Sequence, residues 1–137
     1  MLPVEISGGT SRLRAVLAEV EDAGLDFVGM GDHVAFRGGF GVDGLVTAAA
    51  MLAAHPTLCV ATGVYLLPLR HPVTVARQLS TIAALAPGRF TFGVGLGGED
   101  PAELRACGVD PRTRGRRMDE SLTVLRRLLA GDAVTCR

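Results

Sequence analysis

The sequence predicts an α/β fold built from about four successive strand–helix units whose strands run parallel. Short apolar segments with almost no charge alternate with segments whose apolar residues recur at the helical period. Each unit spans about 30 residues, which is the length of one strand and its crossover helix. Hydrophobic residues make up 48% of the 137 residues, so the chain can bury a core. We therefore expect a single domain over residues 1–137.

The first strand–helix unit begins with LPVEIS at residues 2–7, an apolar run that favours a short strand. Thr10 or Ser11 can cap the helix that follows. Residues 12–24 of that helix place apolar side chains three and four positions apart, which is typical of a half-buried helix. Residues 26–33, DFVGMGDH, predict the second strand.

The next two units are marked by a helix cap and by apolar strands. Asp43 precedes an alanine-rich helix at residues 44–55, and its carboxylate is a favourable N-cap. The third strand, residues 57–69, is almost wholly apolar, as strands covered on both faces are. The helix after it is predicted at residues 71–88, and the fourth strand at residues 89–95.

Two helices are predicted after the fourth strand. The first covers residues 99–108, where Asp100 is a good N-cap, Pro101 suits the first helical position and Glu103 completes a capping-box pattern. The second covers residues 111–132. Its spacing places on the inner face Met118, Leu122, Leu125 and Leu129.

Two architectures fit this order of elements: an open doubly wound sheet and a (β/α)8 TIM barrel. A complete barrel takes about 250 residues, so four units correspond to about half of one, a truncated barrel. In both architectures ligands bind at the carboxyl ends of the parallel strands. The residues that follow each strand are therefore the candidates for function.

Glycines at positions 93, 95 and 98 spell G-x-G-x-x-G, which is the dinucleotide-binding pattern. In a dinucleotide turn the helix starts within the motif, whereas the helix start predicted here comes later. Glu99 and Asp100 would also place two carboxylates where phosphate charges must lie. We favour a different interpretation, in which Gly93 and Gly95 allow close packing and the next two glycines form the loop that leaves the strand.

Polar residues and glycines gather at the predicted carboxyl ends of the strands. Asp32 and His33 follow the second strand, Gly63 and Val64 lie late in the third, and Glu99 follows the fourth. An imidazole there can donate to an anionic or carbonyl group, or move a proton near neutral pH. The alternatives are a buried His33 bonded to backbone and a Glu99 that only complements a helix N-terminus.

Charge and composition weigh against several classes of function. Fourteen basic residues balance fourteen acidic ones, so no positive surplus is present to bind nucleic acid. The longest nearly uncharged run, residues 44–69, contains Pro56 and Gly63 and divides into two elements, so no membrane span is predicted. Three cysteines without regular spacing and the lack of a signal-peptide pattern indicate a cytoplasmic protein. No metal site is predicted.

Three segments together resemble a known family. They are AGLDFVGMGDH, TGVYLLPLRHPVTVARQLSTIAALAPGRFTFGVGLGG and RGRRMDESLTVLRRLLAG, in this order along the chain. The sequence resembles the luciferase-like monooxygenase superfamily, and within it the branch that uses the deazaflavin coenzyme F420. The resemblance implies the N-terminal half of a (β/α)8 barrel, a flavin-type cofactor at its C-terminal face, and hydride transfer or oxygenation as the chemistry.

The resemblance also implies roles for residues of this sequence. The histidine of the DH motif is implied to contact the reactive part of the coenzyme, and some members use a glutamate near the substrate. A bulge with a non-proline cis peptide, matched by Gly63 and Val64, is implied to back the ring. We therefore predict as catalytic residues His33 and Glu99. We predict as cofactor-binding residues Asp32, Gly63, Val64, Gly97 and Gly98.

Three hypotheses of function follow. The first is F420-dependent hydride transfer to or from a small organic substrate, and the second is FMN-dependent monooxygenation on the same fold. The third is a catalytically incomplete fragment or an assembly partner, because the later strands that hold much of the coenzyme in the family are not found in this sequence. A homo-oligomer or a barrel-completing partner is then expected, since half a barrel exposes unpaired strand edges.

Overall fold

The computed structural model describes residues 8–35 and 41–135, and strands alternate with helices along this part of the chain. The strands are β1 Phe27–Met30, β2 Cys59–Tyr65 and β3 Phe90–Val94. The α-helices are α1 Gly9–Asp22, α2 Gly44–Ala54, α3 Pro72–Leu85, α4 Pro101–Ala106 and α5 Arg114–Leu129. Short 3-10 helices precede α3 and α5, at Leu67–Leu69 and Pro111–Thr113. The strand predicted at residues 2–7 lies outside the described residues.

The three strands form one parallel sheet in their order along the chain. Val28 of β1 pairs with Val60 of β2, which pairs in turn with Phe90 of β3. These three side chains pack with residues of the helices in one apolar cluster, whereas Phe27 is 51% exposed. A sequential parallel sheet with helices packed on one face is part of a barrel, because a doubly wound sheet carries helices on both faces. The fold is therefore an α/β partial barrel, as predicted.

The core lies between the sheet and the helices. Leu17 of α1, Met51 of α2 and Val75 of α3 have no exposed surface, and Leu125 of α5 is nearly as deeply buried. Burial of each such side chain contributes about 1.5–3 kcal/mol relative to leaving it exposed. The helical spacing of these residues along the sequence thus corresponds to the face that each helix packs on the sheet.

Two of the predicted helix caps are confirmed. The Asp43 Oδ1 atom accepts hydrogen bonds from the backbone N–H groups of Leu45 and Val46, at 3.1 and 3.0 Å. At α4, the Asp100 Oδ1 atom accepts from the backbone N–H of Ala102 at 2.9 Å. Each bond satisfies a donor that the first helical turn leaves without a partner in the helix, and so fixes where the helix begins.

Three local predictions are wrong. The third strand, predicted to reach residue 69, ends at Tyr65, and Leu67–Leu69 forms a 3-10 helix around Pro68. Thr10 and Ser11 do not cap α1, because the helix already begins at Gly9 and both residues lie inside its first turn. Leu129, predicted on the inner face of α5, is half exposed because it is the last residue of the helix. Leu128 packs against the core there instead.

Gly93 and Gly95 lie where β3 passes close to β2. A Cβ atom on Gly93 would collide with the carbonyl oxygen of Thr62, and one on Gly95 would collide with the side chain of Val64. The Thr62 hydroxyl also donates to the Gly93 carbonyl at 2.8 Å. Helix α4 begins only at Pro101, so the glycine motif does not open a helix as a dinucleotide turn does. The close-packing interpretation of the two glycines is confirmed.

No helix within residues 8–35 and 41–135 is long and apolar enough to cross a membrane. Helix α5 has 16 residues, whereas a membrane-spanning helix takes about 20 apolar ones. The same ranges contain no group of three or more His, Cys, Asp and Glu side chains that could hold a metal ion.

Candidate functional site

A cavity of about 340 Å³ opens at the carboxyl ends of the strands. It is lined by all the residues predicted for the site, which are Asp32, His33, Gly63, Val64, Gly97, Gly98 and Glu99. Residues that the sequence did not assign to the site also line it, namely Gly31, Leu66 and Glu103. Cavities that hold small molecules have volumes of about 300–1,000 Å³, so this one is large enough for a small ligand or for part of a larger one.

One wall of the cavity is an irregularity at the end of β2. The pairing of β2 with β3 shifts between Thr62 and Tyr65, and the peptide bond between Gly63 and Val64 is cis. Beyond the shift, the Gly95 N–H donates to the Tyr65 carbonyl at 2.8 Å, and the Val64 residue is 42% exposed. The bulge and the cis bond implied by the family resemblance are confirmed. That this segment supports a coenzyme ring stays a prediction.

Asp32 holds together the elements that surround the cavity. Its carboxylate accepts from the backbone N–H of Gly44 at 2.8 Å, from that of Leu66 at 2.9 Å, and from both terminal nitrogens of Arg70. The side chain of Asp32 has no exposed surface. The carboxylate therefore joins the end of β1 to the start of α2 and the end of β2. Direct binding of a cofactor by Asp32 stays a prediction, and the contacts of its side chain indicate a positioning role.

The partner of Asp32 packs on an aromatic ring. The Arg70 guanidinium lies 4.4 Å from the centre of the Tyr65 ring, which is itself buried. Burial lowers the pKa of Arg70, but the hydrogen bond and charge of Asp32 outweigh this effect and raise it overall. Burial also raises the pKa of Tyr65 to about 12, so its hydroxyl stays neutral. Arginine and tyrosine thus keep one charge state each near neutral pH, and the ion pair acts as a fixed structural group.

A second buried carboxylate lies beside the predicted catalytic histidine. Glu103 of α4 is 3% exposed, and its Oε2 atom lies 3.3 Å from the Nδ1 atom of His33. Its Oε1 atom accepts from the backbone N–H groups of Val34 and Ala35, at 2.6 and 3.1 Å. The sequence suggested Glu103 only as part of a capping box, yet its side chain bonds to the chain after β1. The sequence feature that could have indicated this contact is the position of Glu103 in the first turn of α4, a helix that begins at the carboxyl-end edge of the sheet.

The Glu103 carboxylate makes a contribution to stability that depends on pH. Burial alone would raise its pKa, but the hydrogen bonds from Val34, Ala35 and His33 outweigh burial and lower it below its ordinary value of 4.5. A carboxyl group with a lowered pKa stabilises the fold above its unfolded-state pKa, and the contribution is lost as pH falls through the folded-state pKa. Stability from Glu103 is therefore present at neutral pH, begins to fall below about pH 4.5, and is lost as pH passes through the lowered folded-state pKa.

Replacing this carboxylate by an amide should weaken that dependence on acid. As pH falls from 7 to about 3, Glu103→Gln is expected to lose less free energy of unfolding than the wild type, in urea titrations followed by circular dichroism. Glu120→Gln is the matched control, because Glu120 is exposed and should leave the wild-type dependence unchanged. Equal losses in wild type and Glu103→Gln would contradict the assignment of this pKa.

The loop after β3 forms the remaining wall. Gly97 and Gly98 have φ values of 68° and 129°, which favour glycine because a Cβ atom is strained there. The loop carries exposed Glu99 to the cavity, and the Nε atom of Arg114 lies close behind Gly98. The predicted neighbourhood of His33 and Glu99 at one edge of the sheet is therefore observed, while their catalytic roles stay predictions.

Comparison with known proteins identifies the family. The family model described as luciferase-like monooxygenase matches residues 3–137. The chain belongs to the luciferase-like monooxygenase family. The family resemblance seen in the sequence is thereby confirmed.

Relatives of this luciferase-like chain include two kinds of oxidoreductase. The 4-hydroxyprotoasukamycin monooxygenase of Streptomyces nodosus subsp. asukaensis is 45% identical over 76 residues, which are 56% of this chain and 20% of that protein. The F420-dependent glucose-6-phosphate dehydrogenase of Beutenbergia cavernae is 34% identical over 128 residues, which are 90% of this chain and 38% of that protein.

Two solved structures share the luciferase-like fold. Monooxygenase RslO1 from Streptomyces bottropensis has a TM-score of 0.79 at 24% identity, over 98% of this chain and 42% of its own. The oxygenating constituent of 3,6-diketocamphane monooxygenase from Pseudomonas putida, in complex with FMN, has a TM-score of 0.76 at 19% identity, over 87% of this chain and 33% of its own. The luciferase-like chain thus spans about a fifth to two fifths of the length of these relatives.

Proposed function

We propose that this chain forms the coenzyme-ring region of an oxidoreductase that catalyses F420-dependent hydride transfer to or from a small organic substrate. The observation that carries the proposal is the convergence on one cavity of His33, the cis Gly63–Val64 segment and Glu99. The match to the F420-dependent glucose-6-phosphate dehydrogenase over 90% of the chain supports F420 as the coenzyme.

The residues around the cavity fit a flat ring with an apolar face and polar edges. Val64 and Leu66 supply apolar surface on the β2 side, and His33 and Glu99 supply polar groups on the two flanking segments. When bound, F420 supplies the ring atom that accepts or gives up the hydride. In this proposal Val64 and the cis segment support one face of the ring, and His33 donates to or accepts from its polar edge.

Glu99 is proposed to act on the substrate side. It is exposed, borders the cavity and follows two glycines that bring the backbone close to the site. A carboxylate in this position can take up a proton from a substrate hydroxyl or return one to it as the hydride moves. In this proposal the His33 imidazole acts on the coenzyme, and the Glu99 carboxylate acts on the substrate.

Removal of the His33 side chain should weaken coenzyme binding. We expect added F420 to change its own absorbance and fluorescence on binding to the wild type, and His33→Ala to raise the dissociation constant about five- to tenfold, as for one lost hydrogen bond. His71→Ala is the matched control, since His71 lies at the start of α3 and makes no side-chain cap there. No spectral change with the wild type, or equal affinities in all three proteins, would contradict the proposed function.

FMN-dependent monooxygenation on the same scaffold is the second candidate. It is favoured by the 45% identity to a monooxygenase and by the FMN complex among the structural relatives. Parallel titrations with F420 and FMN, under the same buffer and protein concentration, discriminate the two. Tighter binding of FMN, together with oxygen consumption when a reductant is supplied, would replace the first candidate by the second.

We also propose that further strands, from a second copy or another partner, pack beside this sheet. Within residues 8–35 and 41–135, β3 pairs on one side only, and Phe27 exposes half of its surface. Unpaired edges and exposed apolar side chains favour association. Size-exclusion chromatography with light scattering tests this association, and a monomer at all concentrations would contradict it. In the third hypothesis, the chain is catalytically incomplete until the partner's strands are in place.

A further inference from the structure

We propose that Glu103 is a positioning residue that holds His33 in the tautomer with hydrogen on Nδ1, and that it thereby sets the hydrogen-bonding character of Nε2. The tautomer depends only on the contacts within this chain. Its consequence for the coenzyme rests on the proposed function. Glu103 lies on α4, 70 positions from His33 in sequence, and contacts it through the fold, since His33 lies in the segment after β1.

The two oxygens of the Glu103 carboxylate have different partners. Oε1 accepts from the backbone N–H groups of Val34 and Ala35, at 2.6 and 3.1 Å, and so fixes the chain immediately after the histidine. Oε2 lies 3.3 Å from His33 Nδ1. One oxygen therefore anchors the backbone, and the other faces the ring.

The chemistry of an ionised carboxylate decides which atom carries the hydrogen. An ionised carboxylate has only acceptors, so a hydrogen bond between Oε2 and Nδ1 requires the hydrogen to be on Nδ1. The side chain of Glu103 is 4% exposed and that of His33 is 28% exposed, so the pair is largely shielded from water. The lowered pKa of Glu103 is consistent with ionisation at neutral pH.

Fixing Nδ1–H determines what the other ring nitrogen can do. In the neutral ring Nε2 is then an acceptor, and in the protonated ring it is a donor. Other titratable groups close to this pair are Glu99 on the cavity, Cys107 at the end of α4, and the Asp32–Arg70 ion pair.

The wild-type chain, labelled with ¹⁵N in histidine, tests the tautomer directly. Two-bond ¹H–¹⁵N correlation spectra distinguish the two neutral forms, and we record them at about pH 8, above the ordinary histidine pKa of about 6.5. The signals of His33 are assigned by their absence in His33→Ala. We expect the Nδ1–H form for His33. The Nε2–H form in the wild type would overturn the proposal without any coenzyme or variant of Glu103.

The variant Glu103→Gln distinguishes the anchoring of the backbone at Val34 and Ala35 from the control of the His33 tautomer. The amide oxygen can keep the place of Oε1 and its two backbone bonds, while the amide NH₂ takes the place of Oε2 and donates to Nδ1, which moves the ring hydrogen to Nε2. We expect that change of tautomer in the spectra, with the amide signals of Val34 and Ala35 retained. The exposed Glu120→Gln should show neither change. An unaltered tautomer in Glu103→Gln would overturn the proposal.

Titration with F420 tests whether the tautomer affects coenzyme binding. We expect Glu103→Gln to weaken binding about fivefold relative to the wild type and Glu120→Gln, because Nε2 presents the opposite hydrogen-bonding character. A change of tautomer without a change of affinity would overturn the positioning role. If the wild type itself does not bind F420, the proposed function fails, and the wild-type spectra still decide which tautomer Glu103 holds.

Discussion

Replacing Arg70 by methionine is expected to lower the free energy of unfolding by about 3–5 kcal/mol, the range measured when one partner of a buried ion pair is removed. The Asp32 carboxylate has no exposed surface and receives two of its four hydrogen bonds from this guanidinium. Methionine keeps much of the apolar length of the side chain over Tyr65, so the loss reports mainly the charge. Urea unfolding followed by circular dichroism measures it.

Two further variants isolate the cause of that loss. Arg116→Met removes an exposed arginine, whose 3.8 Å pair with Glu120 contributes little, and should change stability by less than about 0.5 kcal/mol. Adding Asp32→Asn to Arg70→Met should recover part of the lost stability, because the uncompensated charge is then gone, although the single amide oxygen keeps only one of the two bonds from the Gly44 and Leu66 N–H groups. If Arg70→Met unfolds at the same urea concentration as Arg116→Met, the buried pair does not hold the site together.

The secondary structure and the place of the site could be predicted because they depend on neighbours in sequence. The helical spacing of Leu13 and Leu17, the cap at Asp43 and the apolar run of β2 each lie within one element. Parallel strands bring their carboxyl ends to one edge, so residues after successive strands meet without any further information. His33 and Glu99 were placed together on this ground, and both border the cavity.

The contacts that position these residues could not be predicted in the same way. Asp32 and Arg70 are 38 positions apart, and His33 and Glu103 are 70 apart, so no local pattern links them. Glu103 also satisfies a capping-box pattern, and that local interpretation competes with the tertiary contact that the fold makes. Which buried carboxylate meets which donor depends on the crossing of helices over the sheet, which sequence periodicity does not specify.

The approach of β3 to β2 leads to the second large effect. Gly93→Ala is expected to lower the free energy of unfolding by about 3 kcal/mol, because its Cβ atom would collide with the Thr62 carbonyl oxygen, a backbone atom that cannot rotate away. Gly95→Ala should cost less, since its Cβ atom meets a methyl group of Val64, and that side chain can shift. Urea unfolding of both variants gives the ranking.

Gly115→Ala is the matched control for both, and its effect should have the opposite sign. Gly115 lies in α5, where a Cβ atom would have nothing within 4 Å, so alanine should stabilise the helix by about 0.5–1 kcal/mol.

Gly95→Ala should also weaken F420 binding more than its stability loss explains, because the side chain that it displaces, Val64, borders the cavity. Similar unfolding midpoints for Gly93→Ala and Gly115→Ala would show that the sheet accommodates a methyl group there. The two glycines of the motif would then need an explanation other than the closeness of the strands.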